Sequence, residues 1–327
     1  MSSTVLERLQ RRHRAFEATR AFFRERGFVE ADTPVLTSGP GLEPHIDPLS
    51  VRVQLGPNGP RERRFLITSP ELALKRLVSF GARNVFQMGH VFRDGERTAR
   101  HLPEFTMLEW YRAGSTLDDL VLDHEELFAA VASALGISHP PTPFPCRSLS
   151  SLFDEHAGID LTGVLVRMRD GDALALVSDL RGRGEVLRSG ADFEDAFFHV
   201  MTNMVEPRLG RDRPVVVERW PAQMAVLARR CDDDPLFAAR FEIYAGGLEL
   251  SNAFDELTDA VEQRSRFESD NEKRRELGKE TLPLDEEFLD ALPQMPRTAG
   301  CALGFDRLLM YLLKEPSIDD VIALPWR

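Results

Sequence analysis

The stretch from Phe92 to Tyr111, FRDGERTARHLPEFTMLEWY, concentrates polar residue types that suggest a binding site. Arg93 closes an apolar run, a charged loop comes next, and the chain then enters an alternating segment. If that segment is a strand, one of its faces carries Phe105, Met107, Glu109 and Tyr111. A carboxylate on the same face as aromatic rings favours a polar pocket. The alternative is an amphipathic hairpin whose Glu109 simply lies at the surface.

A pair of carboxylates lies on a predicted hairpin, FEIYAGGLELSNAFDEL. A two-residue turn at Gly246-Gly247 makes Glu242 and Glu249 diagonal neighbours on one face, where they can share a ligand. Two such carboxylates repel each other unless a cation lies between them. A divalent metal that holds phosphate oxygens suits this arrangement. The alternative is two exposed glutamates on a sheet face.

Two predicted helix starts add further candidates. Ser69 follows a strand and can cap the next helix, with Glu71 in its first turn, so capping alone could account for both residues. Arg307 lies in the first turn of the helix after GCALGF and adds positive charge to a helix end already suited to anions. A phosphate contact is one interpretation of Arg307, and a surface arginine is the other.

Composition limits the classes of function. The 327 residues are 43% hydrophobic and 29% charged, with a net charge of −12 and a pI of about 5.3. This balance is typical of a soluble globular protein and disfavours nucleic-acid binding by bulk charge. Three widely separated cysteines predict a reducing compartment without a disulfide framework or zinc site. With no signal core or long apolar run, we expect a cytoplasmic protein that does not bind membranes.

Glycines, prolines and apolar spacing predict the elements that position these residues. A helix over 4–26 carries several arginines, which we interpret as a solvated face. The proline-rich segment 139–145 is the best candidate for a boundary, and we interpret it as a crossing within one domain, 1–327, that has a mainly helical insert around 140–213. Within the insert, 164–177 fits either a hairpin or two helical pieces.

Three segments resemble, in order, the motifs of the class II aminoacyl-tRNA synthetase catalytic core: FFRERGFVEADTP, FRDGERTARHLPEFTMLEWY and GCALGFDRLLM. TSPELALKR and FEIYAGGLELSNAFDELTD are similar to the lysine-specific segments of its lysyl branch. The resemblance covers about residues 5–325. It implies an α+β fold with a mostly antiparallel sheet flanked by helices, and a homodimer formed through the first motif.

Within that branch, the chain is most similar to the stand-alone elongation factor P lysine ligases, which attach (R)-β-lysine to a lysine of that translation factor. VEPRLG, WPAQ, TSPE and LELSNAFDELTDA carry this likeness. The core motifs begin at the start of the chain, where lysyl-tRNA synthetases have an anticodon-binding barrel, so we expect no tRNA anticodon recognition. Ser69 and Ala302 stand where those synthetases usually have alanine and glycine, which would reshape the pocket and makes β-lysine a plausible substrate.

The resemblance implies activation by ATP, in which the substrate carboxylate attacks the α-phosphate. Two unit negative charges 4 Å apart repel by about 4 kcal/mol at an effective dielectric of 20, so the site must supply cations. Arg93 would bridge the carboxylate and the α-phosphate, and Phe105 would stack on the adenine. The other implied contacts are His101 and Arg307 at the γ-phosphate end, and Glu242 and Glu249 as ligands of Mg²⁺.

The same resemblance assigns the amino-acid site. The implied contacts are Glu71 and Glu109 for the main amine, Asn252 for the carboxylate, Glu256 and Tyr111 for the terminal ammonium, and Ser69 and Ala302 for the shape of the pocket. No side chain need act as a nucleophile, because the acceptor lysine attacks the adenylate itself. Catalysis would then depend on positioning and charge.

The loop after Arg93 departs from the family pattern. Synthetases of this branch have a glutamate two residues after the arginine that helps to read the adenine amine, whereas this chain has Gly95 there and Glu96 one step later. Leu102 follows His101 where asparagine is usual. We expect either a shifted loop register, with Glu96 in the ATP site, or weakened nucleotide binding.

The leading hypothesis is an AMP-forming ligase that uses ATP and Mg²⁺ to activate lysine or (R)-β-lysine and transfers it to a lysine of elongation factor P. One alternative is an activator that loads a different carrier. Another is a non-catalytic lysine sensor, which the altered loop at Gly95 keeps open. Retention of Arg93, Glu242, Glu249 and Arg307 argues against the sensor, because a sensor needs no pyrophosphate site.

Overall fold

The computed structural model describes residues 4–225 and 227–325. Its described residues cluster into two compact units: one draws on Met1–His139 and Ala253–Arg327, and the other is Pro140–Asn252. We call them the core unit and the insert unit. The boundary after His139 coincides with the proline-rich segment that we identified as a candidate boundary. The prediction of one domain with an insert around 140–213 stays a prediction, while the second compact unit extends to Asn252.

Both units contain helices and strands. The first part of the core unit comprises α1 (Val5–Glu25), β1 (Val29–Glu30), β2 (Leu36–Thr37), β3 (Ser50–Gln54), β4 (Arg61–Leu66), α2 (Glu71–Ser79), β5 (Asn84–Phe92), β6 (Glu104–Ala113) and α3 (Leu117–Leu135). The insert unit has β7 (Cys146–Ser148), α4 (Leu149–Ala157), α5 (Leu161–Arg169), α6 (Ala175–Gly182), α7 (Phe193–Val200), β8 (Val215–Pro221), β9 (Phe237–Ala245) and β10 (Leu248–Asp255), whose last three residues belong to the core unit. The core unit ends with α8 (Ala260–Glu276), α9 (Glu286–Ala291), β11 (Thr298–Gly304) and α10 (Phe305–Leu313).

The larger sheet of the core unit places Glu109 between two neighbouring strands. Its strands follow the order β1–β5–β6–β11, and β6 is antiparallel to both of its neighbours. Gln87 of β5 lies opposite Glu109 on one side, and Ala302 of β11 lies opposite it on the other. Alternate residues of a strand share a face, and the hydrogen bond from the Tyr111 hydroxyl to Glu109 confirms that these two do.

Aromatic packing under α1 fixes the position of β5 and β6. The ring of Phe23 is fully buried and stacks on Phe86 of β5, with centroids 4.6 Å apart. It also lies 5.4 Å from the ring of Trp110 on β6. Trp110 donates a hydrogen bond to Asp123 of α3. Full burial of a large apolar side chain contributes about 1.5–3 kcal/mol, so this layer holds the strands that carry the candidate site.

The insert unit has its own apolar core between its helices and strands. Phe153 and Phe197 stack with centroids 5.2 Å apart, and Trp220 of β8 lies 5.7 Å from Phe197. The strands follow the order β10–β9–β8–β7. Residues 164–177, for which the sequence left two options, lie in α5, a turn and α6, so they are helical. Gly171, with φ +110°, allows the sharp turn between those helices.

The two units together confirm the predicted α+β class, with mostly antiparallel strands flanked by helices. None of the helices in the described ranges is both long and apolar enough to span a membrane. Within those ranges no disulfide joins the three cysteines.

Candidate active site

Three carboxylates and one ammonium group lie together in the core unit, and we call Glu71, Glu109, Glu256 and Lys75 the acidic pocket. Glu109 is 1% exposed. One of its oxygens accepts a hydrogen bond from the Ser69 hydroxyl at 2.6 Å, and the other accepts one from the Tyr111 hydroxyl at 2.7 Å. The Ser69 oxygen also accepts a hydrogen bond from the backbone N–H of Glu71. Ser69 therefore serves both the start of α2 and the pocket.

Lys75 is the member of the acidic pocket that our sequence interpretation missed. Its side chain is 1% exposed, and its Nζ lies 2.5 Å from Oε1 of Glu71 and 2.5 Å from Oε2 of Glu256. Burial lowers the pKa of Lys75, but Glu256 and Glu71 together raise that pKa above its ordinary value. Lys75 is therefore a permanent cation. The Glu71–Lys75 spacing of four residues on one helix was the available signal.

Glu109 and Glu256 hold protons unusually strongly. Burial, followed by the charge of Glu71, raises the pKa of Glu109 to about 8. Burial also raises the pKa of Glu256 to about 8, against the lowering effect of Lys75. Both groups would bind a proton at neutral pH unless another cation replaced it. The pocket therefore favours a ligand that carries ammonium groups.

We expect lysine binding to release protons and to strengthen as pH rises from 6 to 8. A bound ammonium lowers the pKa of Glu109 and Glu256, so each proton released makes the affinity about tenfold higher per pH unit below pH 8. In the free protein these raised pKa values stabilise the fold fully below about pH 4.5, and that contribution is lost as pH rises through 8. Titration calorimetry at pH 7 in two buffers with different ionisation enthalpies would count the protons. An affinity that does not change between pH 6 and 8 would contradict this expectation.

Gly300 of β11 leaves the space that two of these side chains occupy. A Cβ atom there would lie 2.2 Å from the Tyr111 ring and 2.4 Å from Oε1 of Glu256. That oxygen is buried and has no hydrogen-bond partner in the described part of the chain. A buried acceptor left unpaired costs about 1–3 kcal/mol, so Oε1 of Glu256 is available to a ligand donor.

Replacing Gly300 with alanine is expected to weaken lysine binding at least tenfold, because the new methyl group must displace the Tyr111 ring or the Glu256 carboxylate. Overpacking of this kind costs about 1–3 kcal/mol. Titration calorimetry measures the affinity, and thermal unfolding shows whether the fold survives. Cys301→Ala, at the next residue, is the matched control, because Cys301 contacts His124 of α3. Equal lysine affinities for G300A and the parent would show that the space beside Gly300 is not needed for binding.

Three arginines place positive charge near His101 in the core unit. Burial, and then the charges of Arg307, Arg93 and Arg100, lower the pKa of His101 to about 4. The imidazole is therefore neutral at pH 7, with its Nδ1 2.8 Å from the Thr98 hydroxyl. Such a concentration of arginine charge favours an anion. This agrees with a phosphate site that contains His101 and Arg307.

The ring of Phe105 is supported on one side and paired with Arg93. It packs on an apolar cluster formed by Ile67, Val91 and Met107, which Ala302 also contacts. The Arg93 guanidinium carbon lies 5.2 Å from the centroid of the Phe105 ring. The sequence predicted both residues at the nucleotide, and the structure brings them together.

The turn after Arg93 shows how the departure from the family pattern is accommodated. Gly95 has φ +76°, a conformation that strains any other residue, and its N–H donates to the Asp94 side chain. Glu96 follows at a position from which its carboxylate reaches within 3.9 Å of the Arg93 guanidinium. This geometry agrees with a shifted register, and the alternative of weakened nucleotide binding stays a prediction.

A network from α1 positions Arg307. Asp306, next to it on α10, is 1% exposed and accepts hydrogen bonds from Arg12 of α1 and from the backbone N–H of Thr106 on β6. Arg12 also donates to the Thr106 hydroxyl at 2.6 Å. The interpretation of the first helix's arginines as a solvated face is therefore wrong for Arg12, because sequence spacing cannot reveal a partner 294 positions away.

In the insert unit, Arg240 joins two predicted site residues. It forms a buried ion pair with Glu242, and its Nε donates to the side-chain oxygen of Asn252 at 3.0 Å. This hydrogen bond leaves the Asn252 amide nitrogen to donate elsewhere. The Tyr244 hydroxyl donates to the other Glu242 oxygen at 2.6 Å. The sequence interpretation missed Arg240, although its place two residues before Glu242 on one strand puts both on the same face.

Glu242 and Glu249 fit Mg²⁺ that is held jointly with phosphate oxygens. Burial, and then the charge of Glu249, raise the pKa of Glu242 to about 8 against the lowering effect of Arg240, so the pair still favours a further cation. No group of three or more metal-binding side chains occurs among residues 4–225 and 227–325. Mg²⁺ usually binds one or two protein carboxylates together with substrate phosphates. Glu242 and Glu249 would supply two such carboxylates.

A cavity of about 250 Å³ adjoins Ser69 in the core unit. Its walls include Ile67, the start of α2 and the 38–41 loop, which the sequence interpretation did not assign to the site. Gly39 lies against the backbone of Asp285, where a Cβ atom would come within 2.9 Å. Close packing of this loop therefore depends on glycine.

Comparison with known proteins adds independent information. Residues 1–327 match the model of the family described as tRNA synthetases class II (D, K and N). The chain is 36% identical over 323 residues to an elongation factor P–(R)-β-lysine ligase of Haemophilus influenzae strain PittGG, covering 98% of this chain and 95% of that protein. Proteins of the same name from Avibacterium paragallinarum and Erwinia tasmaniensis are 37% and 35% identical, over 97% and 98% of this chain and 95% of each relative.

Proposed function

Because this chain belongs to the class II tRNA synthetase family (D, K and N), we propose that it activates lysine or (R)-β-lysine with ATP and transfers the acyl group to a lysine of elongation factor P. The acidic pocket is the observation that supports this most directly. Its three carboxylates, of which Glu109 and Glu256 are buried, suit an amino acid with two amines. Relatives named for this reaction align with nearly the whole chain at 35–37% identity.

The first step forms an aminoacyl adenylate. A substrate carboxylate oxygen attacks the α-phosphorus of ATP, and pyrophosphate leaves. Arg93 holds the carboxylate and the α-phosphate with its planar fork, so that their mutual repulsion falls as they approach. Arg307 and the neutral His101 contact the phosphates that depart. Mg²⁺ on Glu242 and Glu249 would neutralise the charge that develops on pyrophosphate.

The second step transfers the acyl group. The amine of the acceptor lysine attacks the carbonyl carbon of the adenylate, AMP leaves, and the amine loses a proton to solvent. The core unit supplies orientation and charge for this step and no nucleophile of its own.

The surroundings of Glu109 support β-lysine as the preferred isomer. Ser69 donates a hydrogen bond to Glu109, and Ala302 lies opposite Glu109 in the register of β6 and β11. Both residues add atoms, relative to the alanine and glycine usual in lysyl-tRNA synthetases, at the carboxylate proposed to receive the main amine. In β-lysine the main amine lies one carbon further from the carboxylate, and this shift suits the changed space beside Glu109.

Exposed apolar side chains support a homodimer. Val5, Leu6 and Leu9 at the start of α1 are 51–61% exposed, and Val29 of β1 is 65% exposed. These residues lie in or before the first motif. Light scattering on the purified protein measures its mass directly.

A cytoplasmic location is part of the same proposal, since a reducing compartment suits cysteines without a disulfide.

The test combines two assays of the purified protein with ATP and Mg²⁺. Pyrophosphate exchange with α-lysine, (R)-β-lysine and norleucine reports the first step, and the mass of elongation factor P reports the second. We expect exchange with at least one lysine isomer and a mass increase of one lysyl group on the factor. Exchange without that increase would support a different carrier, and no exchange with any amino acid would support a sensor.

A further inference from the structure

Lys75 is a buried cation inside the pocket that is proposed to receive cations. Its side chain is 1% exposed and lies between Glu71 and Glu256. In the described part of the chain, no other lysine, arginine or histidine comes within 4.0 Å of the carboxylates of Glu71, Glu109 and Glu256. A pocket that merely had to attract ammonium groups would do so better without Lys75.

The charges of the acidic pocket give Lys75 a role. With its three carboxylates ionised and Lys75 protonated, the pocket carries −2. The two side chains that donate to Glu109, Ser69 before α2 and Tyr111 of β6, are uncharged. Burial raises the pKa of the Tyr111 hydroxyl well above its ordinary value, so it remains a neutral donor. A net charge left in a buried site costs several kcal/mol per ion. Two ammonium groups bring the total to zero, whereas one leaves −1.

The contacts of Lys75 also determine which oxygens remain for the ligand. Lys75 occupies Oε1 of Glu71 and Oε2 of Glu256. Oε1 of Glu256 stays buried without a partner next to Gly300, and Glu109 is contacted only by uncharged hydroxyl donors among the described residues. Glu109 and Glu256 can therefore each accept a positively charged group of the ligand.

From this geometry we infer that Lys75 is a specificity-determining residue, which sets the number of ammonium groups accepted by the acidic pocket at two. The inference deepens the proposed function and rests on it. Lys75 does not contact the reacting atoms. It acts by neutralising one of the three carboxylates and by fixing the orientation of Glu256.

The test uses variants that change the charge of the pocket in steps. Lys75→Met leaves −3, Glu71→Gln leaves −1, and the double variant returns to −2. Titration calorimetry with lysine in two buffers, without ATP or acceptor, gives the affinity and the number of protons released. We expect E71Q to release one proton fewer than the parent, and K75M to keep one proton in the complex and so to release as many as the parent. We expect K75M/E71Q to match the parent's proton count while binding lysine at least tenfold more tightly than E71Q.

A merely structural role for Lys75 would make the double variant bind lysine more weakly than E71Q. A double variant that binds no better than E71Q would therefore overturn the inference. If K75M does not fold, the charge-balanced double variant and E71Q decide by their proton counts, with Lys75→Arg as the control that keeps the charge. A parent protein that binds neither lysine isomer would instead contradict the proposed function.

Discussion

Replacing Arg93 with lysine is expected to slow lysine-dependent pyrophosphate exchange by about 10²–10³-fold, the usual cost of losing a donor that acts on the developing charge of the transition state. Lysine keeps the positive charge but loses the planar fork that can hold a carboxylate and a phosphate at once. The loss should appear in kcat more than in the lysine KM, because the carboxylates of the acidic pocket are unchanged.

Arg97→Lys is the matched control for Arg93→Lys. Arg97 lies four residues later in the same loop, is partly exposed, and pairs with Asp319 at 2.8 Å. Surface ion pairs contribute about 0–1 kcal/mol, so R97K should stay close to the parent rate. An R93K variant with more than a tenth of the parent kcat would show that Arg93 does not bridge the reacting groups.

Replacing Glu109 with glutamine is expected to weaken lysine binding by about 10²–10³-fold, because removing one partner of a buried charge pair costs about 3–5 kcal/mol. The amide keeps the size of the carboxylate and can still accept a hydrogen bond from Ser69 or Tyr111, so the fold should survive. It cannot balance an ammonium group. Glutamine also carries no proton to release, so E109Q should release one proton fewer than the parent on binding lysine.

Glu104→Gln on the same strand is the control for E109Q. Glu104 is 47% exposed and lies 2.6 Å from the His90 ring, so removing its charge should leave lysine affinity unchanged. If E109Q bound lysine as tightly as the parent, the main amine would have to lie elsewhere. Glu256→Gln would then be the next variant to measure.

The loop after Arg93 shows what a sequence pattern can predict and what it cannot. The pattern identified Gly95 as a departure and left two outcomes open, a shifted register or a weaker site. The structure agrees with the first, because Gly95 adopts the left-handed conformation and Glu96 approaches Arg93. A backbone dihedral that only glycine adopts easily is a local property, but the direction in which the next side chain points depends on the whole turn.

The insert shows the same limit at the level of secondary structure. Residues 164–177 form a short, largely apolar segment with a central Asp-Gly. This composition fits a hairpin as well as two helices. Packing decides the matter: Val164, Leu165, Leu176 and Val177 are all buried in the cluster around Phe197. Contacts made across the insert unit therefore overrule a local turn signal.

The sequence by itself determined the α+β class and the order of the motifs, through the family resemblance, and it predicted three carboxylates that the structure brings together. Alternation along β6 was enough to put Glu109 and Tyr111 on one face. The tertiary structure decided which charges balance one another. Lys75 beside Glu256 and Arg12 beside Asp306 are pairs that only folding brings together. A buried charge is stable only beside its partner, and the partners in these two pairs are distant in the sequence.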